Sequence, residues 1–206
     1  MNVLLINGSP NKNGCTYTAL CEVAGQLDKQ GIETNIFHIG NKPIRGCINC
    51  GKCAESGYCT FKDDLVNECI DFAKKADGIV IGSPVYYAAP NGALCAFLDR
   101  MFFKKSTGYA YKPAAAIVNC RRGGASAAFD RLNKYFTVSS MPIVSSQYWN
   151  STHGYTPEEV KQDLEGLQTM RTLGKNMAWL LKCIDASKDI VPYPEKEKPI
   201  KTNFIR

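Results

Sequence analysis

Four cysteines fall within thirteen residues in the stretch GCINCGKCAESGYC, residues 46–59. Their spacing is C-x2-C-x2-C-x5-C: Cys47, Cys50, Cys53 and Cys59. Four thiolates carried by one turn-forming loop match the ligand count of a [4Fe–4S] cubane. Bacterial ferredoxins set their fourth cysteine after x3 and follow it with proline, so the last spacing here is different. Zinc more often takes two separated C-x2-C knuckles, because a tetrahedron closes more easily from two arms. Thiols that hold nothing are the third reading. Ligand number and spacing favour the cluster.

Three further segments, rich in Gly, Ser, Asn and Pro, have the composition of ligand-binding turns. The first, NGSPNKNGCTYT (residues 7–18), joins an apolar run to a helical pattern with threonines in its first turn. Helix N-termini present unpaired N–H groups and a positive dipole end, which suits a phosphate. The segment is neither G-x-G-x-x-G nor a Walker loop, so a monophosphate fits better than a pyrophosphate. The second, GSPVYYAAPNG (residues 82–92), sets two tyrosines before a helix start, a composition that suits a flat heteroaromatic ring. The third, NCRRGG (residues 119–124), again places glycines ahead of a helix, where backbone donors meet negative charge on a ring's pyrimidine side. Arg121 and Arg122 are read as ordinary surface arginines.

These segments need a scaffold that brings them together. NVLLIN (residues 2–7) reads as a buried strand, followed by a helix with Tyr17, Leu20, Cys21, Ala24 and Leu27 at helical spacing. Residues 33–39 form a second strand, and Asp63 and Asp64 open a helix carrying Leu65, Cys69, Phe72 and Ala76. DGIVIGSPVYY is the third strand, and Leu94, Phe97, Leu98 and Met101 mark the next helix. PAAAIVN is the fourth strand, residues 125–136 a helix, residues 142–145 the fifth strand, and residues 157–184 one last helix. Strand alternating with helix gives an α/β doubly wound sandwich, a parallel sheet covered on both faces. In such sheets ligands bind beyond the carboxyl ends of the strands, where all three segments fall. The cysteine loop follows the second strand at that same edge.

The 206 residues are 45% apolar and 21% charged, ordinary for a soluble domain with its own core. The opening apolar run, Val3 to Ile6, is too short for a signal peptide or a membrane span, which predicts a cytoplasmic protein. Disulfides are kept reduced there, so Cys15, Cys21, Cys69, Cys95, Cys120 and Cys183 are expected as small core residues. A net charge of +6 without a long basic run argues against nucleic acid. His38 falls in a strand and reads as structural, while His153 is a candidate to line a ring's face.

In combination, GSPNKNGCT, ADGIVIGSPVYYAAPNGALCAFLDRM and the glycines after the fourth strand resemble the NADPH-dependent FMN reductase family of the flavodoxin-like superfamily. Within it, CINCGKCAESGYC resembles the iron–sulfur flavoproteins. The resemblance implies five parallel strands in the order 2-1-3-4-5. It implies an FMN-binding domain over residues 1–186, with an insertion at residues 46–60 and an extended tail over residues 187–206. By position, the phosphate loop falls on Ser9, Pro10, Asn11, Asn13, Thr16 and Thr18. The isoalloxazine loop falls on Pro84, Val85, Tyr86, Tyr87, Asn91 and Gly92, and the pyrimidine-side loop on Asn119, Gly123 and Gly124. The cluster ligands would be Cys47, Cys50, Cys53 and Cys59. Relatives often carry a polar residue where Cys15 stands. The implied activity is NAD(P)H oxidation through FMN, with electrons leaving to a [4Fe–4S] cluster or to a small acceptor such as a quinone or nitroaromatic. No side-chain acid or base is expected, and the implied assembly is a homodimer or dimer of dimers. A flavodoxin-like electron carrier and a redox-sensing cysteine module are the rival readings.

Overall fold

Val3, Leu4, Leu5 and Ile6 are all buried because β1 (Asn2–Asn7) runs through the middle of the fold and has helices against both of its faces. Side chains alternate across a strand, so Val3 and Leu5 enter one core while Leu4 and Ile6 enter the other. The computed structural model describes residues 1–103 and 108–195, and residues 197, 198, 200 and 202.

The first core packs α1 (Cys15–Asp28) and α7 (Leu164–Ser187) on the sheet, through Leu20, Val23, Met170, Leu173 and Met177. On the other face stand α3 (Val66–Lys75), α4 (Gly92–Phe102) and α5 (Ala125–Val138), with Ile70, Phe97, Leu98, Leu132 and Phe136 buried. The strands β2 (Glu33–His38), β1, β3 (Gly78–Tyr86), β5 (Ala114–Cys120) and β6 (Ser151–His153) pair in parallel, in the order β2-β1-β3-β5-β6. Counted over parallel strands alone, this is the expected 2-1-3-4-5. A two-residue strand, β4 (Ala89–Pro90), folds back antiparallel on the end of β3. A short helix, α2 (Cys53–Ser56), lies in the cysteine loop.

The fifth parallel strand is not where the apolar run at residues 142–145 suggested. That run makes a single bridge, Ile143 to Ala114, and the strand that pairs lies at Ser151–His153. The reason lies in one side chain. Asn150 Nδ2 donates to the Ala116 carbonyl at 3.0 Å, and its backbone carbonyl accepts from Val118 N at 3.0 Å. A side-chain amide thus stands in for a ladder rung while the intervening loop bulges outward.

The expected last helix also divides. Thr156 caps α6 (Pro157–Val160) through its hydroxyl, and Asp163 starts α7 afresh by accepting from Gly166 N at 2.9 Å. At α3 the helix begins at Val66, after the two aspartates, and Asp64 Oδ1 accepts from Val66 N at 3.1 Å. Beyond α7 the tail turns back on its own chain: the Tyr193 ring stacks on Tyr111 at 4.9 Å. Residues 196, 199, 201 and 203–206 of the expected tail lie outside the described residues. No helix among the described residues is long and apolar enough to cross a membrane.

Candidate functional site

Asn7, fully buried at the end of β1, organises the first loop. Its Oδ1 accepts from Ser9 N at 3.1 Å and its Nδ2 donates to the Lys12 carbonyl at 2.9 Å. Ser9 Oγ then accepts from Asn11 N at 3.1 Å, and His38 Nε2 donates to the Ser9 carbonyl at 2.8 Å. His38 is therefore structural, as its strand position suggested. The turn delivers the chain to α1, whose N-cap is Gly14 with no side chain capping it. The first-turn N–H groups of α1 face the loop with the positive end of the helix dipole behind them. Thr18 does not help there, since its hydroxyl donates back to the Gly14 carbonyl at 3.2 Å. Burial, reinforced by the Glu159 and Glu158 carboxylates, raises the Cys15 thiol, so no thiolate competes with an anion at this helix end.

The second loop leaves β3 through Tyr87 and Ala88, with φ of 52° and 58°. Two left-handed residues between paired strands make a type I′ turn, a conformation that favours Asn-Gly. Tyr87 points fully into solvent. Asn91 joins this loop to the first: its Nδ2 donates to the Gly8 carbonyl at 2.7 Å and its Oδ1 caps α4 by accepting from Ala93 N at 3.0 Å. Its own N–H donates to Ser83 Oγ at 3.0 Å.

In the third loop, Asn119 Nδ2 donates to Thr152 at both its carbonyl and Oγ1, each at 3.1 Å, locking β5 to β6. Gly124, at φ +88°, caps α5, and a Cβ there would come within 2.8 Å of Ala88 Cα. The bare glycine lets the β3–β4 turn rest on the third loop.

The three loops meet at one cleft of about 290 Å3. Ser9, Asn11 and Thr16 reach it from the first loop, Pro84, Val85 and Tyr86 from the second, and Asn119 from the third. Pro10, Asn13, Thr18, Tyr87, Asn91, Gly92, Gly123 and Gly124 are not on its wall. Five residues reach it without having been assigned from sequence: Cys15, which was expected in the core, and Cys120, Arg121, Gly154 and Tyr155. Gly154 and Tyr155 follow β6, so placing the fifth strand at residues 142–145 hid them. Their signal was the turn-forming HGY after a short β-rich stretch. His153 lines a neighbouring cavity with Trp149 and Asp163 instead of the cleft, and its N–H donates to Asp163 Oδ2 at 2.6 Å.

The cysteine loop forms a second centre. Cys47, Cys50, Cys53 and Cys59 line one small cavity with Phe61, Arg100 and Phe103. Left-handed residues at Asn49, Gly51 and Gly57 fold the loop onto itself. All four thiols are free. Burial raises the Cys53 thiol, and the neighbouring Cys47, Cys50 and Cys59 add to the rise, so without a cation Cys53 favours its neutral form. A metal centre inverts that preference. Among the described residues no three His, Cys, Asp or Glu side chains gather closely enough to hold one ion.

The position of this loop departs from expectation. Cys53 Sγ lies 3.9 Å from the Phe103 carbonyl, and Cys59 Sγ accepts from Arg100 Nε at 3.2 Å. Cys53 and Cys59 therefore sit against the last turn of α4, whereas its first turn is tied to the first loop through Asn91. From Gly92 to Arg100 the helix rises about 12 Å. Arg100 itself is 2% exposed and pairs with Asp64. Burial alone would lower its pKa, but the hydrogen bonds to Asp64 and Cys59 outweigh that and raise it.

Known proteins share both the fold and the sequence pattern. RosB, solved with bound 8-demethyl-8-formylriboflavin-5′-phosphate, superposes with a TM-score of 0.70 over 100% of this chain and 94% of its own, at 15% identity. A WrbA-like flavodoxin from Agrobacterium tumefaciens superposes with a TM-score of 0.62 over 88% of this chain and 98% of its own, at 15% identity. At such identity these show the fold. An iron–sulfur flavoprotein of Methanocaldococcus jannaschii is 33% identical over 193 residues, covering 89% of this chain and 99% of its own. The profile of the NADPH-dependent FMN reductases matches residues 1–156, which contain the three loops and the four cysteines. With three strand mouths closing on one cleft beside an uncapped helix terminus, the chain belongs to the NADPH-dependent FMN reductase family of FMN-binding oxidoreductases.

Proposed function

We propose that this protein oxidises NAD(P)H through FMN and passes the electrons to a [4Fe–4S] cluster in its cysteine loop, or to a small acceptor such as a quinone or nitroaromatic. One observation carries the reading: the cleft at which the first three loops converge beside the uncapped start of α1. The residues present fit FMN. The α1 terminus, with Ser9, Asn11 and Thr16 on the cleft wall beside it, supplies backbone donors for the phosphate. Pro84, Val85 and Tyr86 form an apolar and aromatic wall for the ring, and Asn91, bonded to Gly8 and capping α4, braces the loop that carries it. Asn119 reaches the ring's polar edge from the third loop, and Gly124 behind it lets the β3–β4 turn rest on that loop. Arg121 adds a positive charge at the same wall.

Bound FMN supplies the exchange between a two-electron hydride donor and one-electron carriers. The protein's part is to orient the ring, exclude water from its buried face and leave the other face open to a nicotinamide. No acidic or basic side chain of the cleft is needed for that, and none is assigned a proton. Cys47, Cys50, Cys53 and Cys59 are the ligands proposed for the cluster, on the strength of their shared cavity. The ten free cysteines suit a reducing, cytoplasmic compartment. We place the chain in a homodimer or dimer of dimers, which sedimentation would register directly.

Anaerobic purification tests the proposal. The expected product carries stoichiometric FMN, loses its flavin absorbance on addition of NADH or NADPH, and contains iron and sulfide at about four each per chain. Flavin that binds but is not bleached by either nucleotide would reassign the protein as an electron carrier. A colourless protein that refuses added FMN would sink the reading.

A further inference from the structure

Arg100 is among the largest fully buried side chains of the protein. Arginine is almost never buried to this extent unless it is paired. It projects from the last turn of α4, and every partner it has among the described residues belongs to the cysteine loop or its flanks. Nη1 and Nη2 engage the two Asp64 carboxylate oxygens, Nη1 also donates to the Arg45 carbonyl at 3.2 Å, and Nε donates to Cys59 Sγ at 3.2 Å. The guanidinium thus ties the residue just before the loop to the residues that follow it, and the same plane of donors ends on a thiol. A buried ion pair contributes little net stability compared with apolar side chains of equal volume, so packing alone is a poor reason for this arginine. The thiol contact supplies a better one.

We propose that Arg100 is a positioning residue for the cluster: it fixes Cys59 and, through its Nε–H, raises the cluster's reduction potential, with Asp64 as the counter-charge that orients the guanidinium and moderates its effect. The inference rests on the proposal that Cys47, Cys50, Cys53 and Cys59 hold a [4Fe–4S] cluster. One-electron reduction adds one negative charge to a thiolate-bound cluster. A charge-assisted donor at a ligand sulfur therefore interacts more strongly with the reduced form, and hydrogen bonds to the sulfurs are among the factors that set such potentials. One helix, α4, thus carries at its start the Asn91 cap that bonds to the first loop and at its end this sulfur contact.

The test is a dithionite titration of anaerobically purified protein, followed by electron paramagnetic resonance, on wild type, Arg100→Gln, Arg100→Lys and Asp64→Asn, with iron and sulfide measured for each. Loss of a hydrogen bond to a charged sulfur shifts the oxidised-to-reduced ratio by on the order of tenfold, about 59 mV for one electron. Arg100→Gln is expected to lower the midpoint by about that much, Arg100→Lys to lower it less, and Asp64→Asn to raise it. Opposite signs for the two sites distinguish the proposal from simple loosening, which admits water and moves both variants the same way. If Arg100→Gln does not fold, the Arg100→Lys and Asp64→Asn pair gives the same reading. A full cluster whose potential ignores Arg100, or moves in the same direction at both sites, overturns the inference alone. Wild-type protein lacking iron and sulfide overturns the cluster proposal and this inference with it.

Discussion

Asn91→Ala removes the side chain that couples the first two loops, and its cost follows from two bonds. Losing the N-cap bond to Ala93 N costs about 1 kcal/mol. The Gly8 carbonyl, buried with its residue, loses a donor at 2.7 Å, and a buried acceptor left in that state costs roughly 1–3 kcal/mol. Together the loss is about 2–4 kcal/mol, so with a urea slope of about 2 kcal/mol per molar the unfolding midpoint of the apoprotein falls by about 1–2 M. Asn91→Ser separates the two bonds. Serine caps as well as asparagine but is too short to reach Gly8, so it should retain the first contribution and lose the second. FMN affinity, read from flavin fluorescence quenching, should weaken in both variants by about tenfold per 1.4 kcal/mol of lost loop alignment. An Asn91→Ala apoprotein with an unchanged midpoint and slope would refute the accounting. FMN binding as tight as wild type in both variants would refute the coupling of the loops.

Gly82→Ala places a Cβ 2.8 Å from Thr16 Cγ2 and 3.1 Å from Leu20, so α1 must shift off β3. The expected cost is about 1–3 kcal/mol, visible as a lowered melting temperature, and an unchanged melt would contradict the packing. Replacing Tyr87 and Ala88 together by Asn and Gly gives the type I′ turn its preferred residues, and should stabilise the apoprotein by about 1 kcal/mol in the same urea assay. A loss of stability there would mean that the tyrosine makes contacts the free chain needs. Burial, aided slightly by Glu68, holds the Cys69 thiol far above its ordinary value of 9.0. The unfolded chain then releases its proton first, so stability falls as pH rises past 9, by up to about 1.4 kcal/mol per unit for this group. Unfolding measured from pH 8 to 10 should show that decline, with a shallower slope in Cys69→Ala, and an equal slope in both would exclude the thiol as its source.

The parts of this protein legible from sequence are those coded by local period and local chemistry. NVLLIN and PAAAIVN are apolar throughout because both faces of a parallel sheet are covered, and that pattern needs no tertiary information to read. The glycine-rich mouths after β1, β3 and β5 follow from the same logic, as does the grouping of four thiols on a single loop. The fifth parallel strand was not legible. It pairs over only three residues, and the amide of Asn150 replaces a ladder bond just before it, which leaves no periodic signal. Losing that strand also hid Gly154 and Tyr155 from the cleft. The placement of the cysteine loop depended on contacts between distant residues. Arg100 and Asp64 are 36 positions apart, and Arg100 and Cys59 are 41 apart. A lone arginine in a helical stripe and an aspartate before a helix look like ordinary surface charge until folding removes both from water. Desolvation then forces the two to pair, and that pairing draws the loop down to the far end of α4. Sequence determined which residues carry the chemistry; burial decided which of them meet.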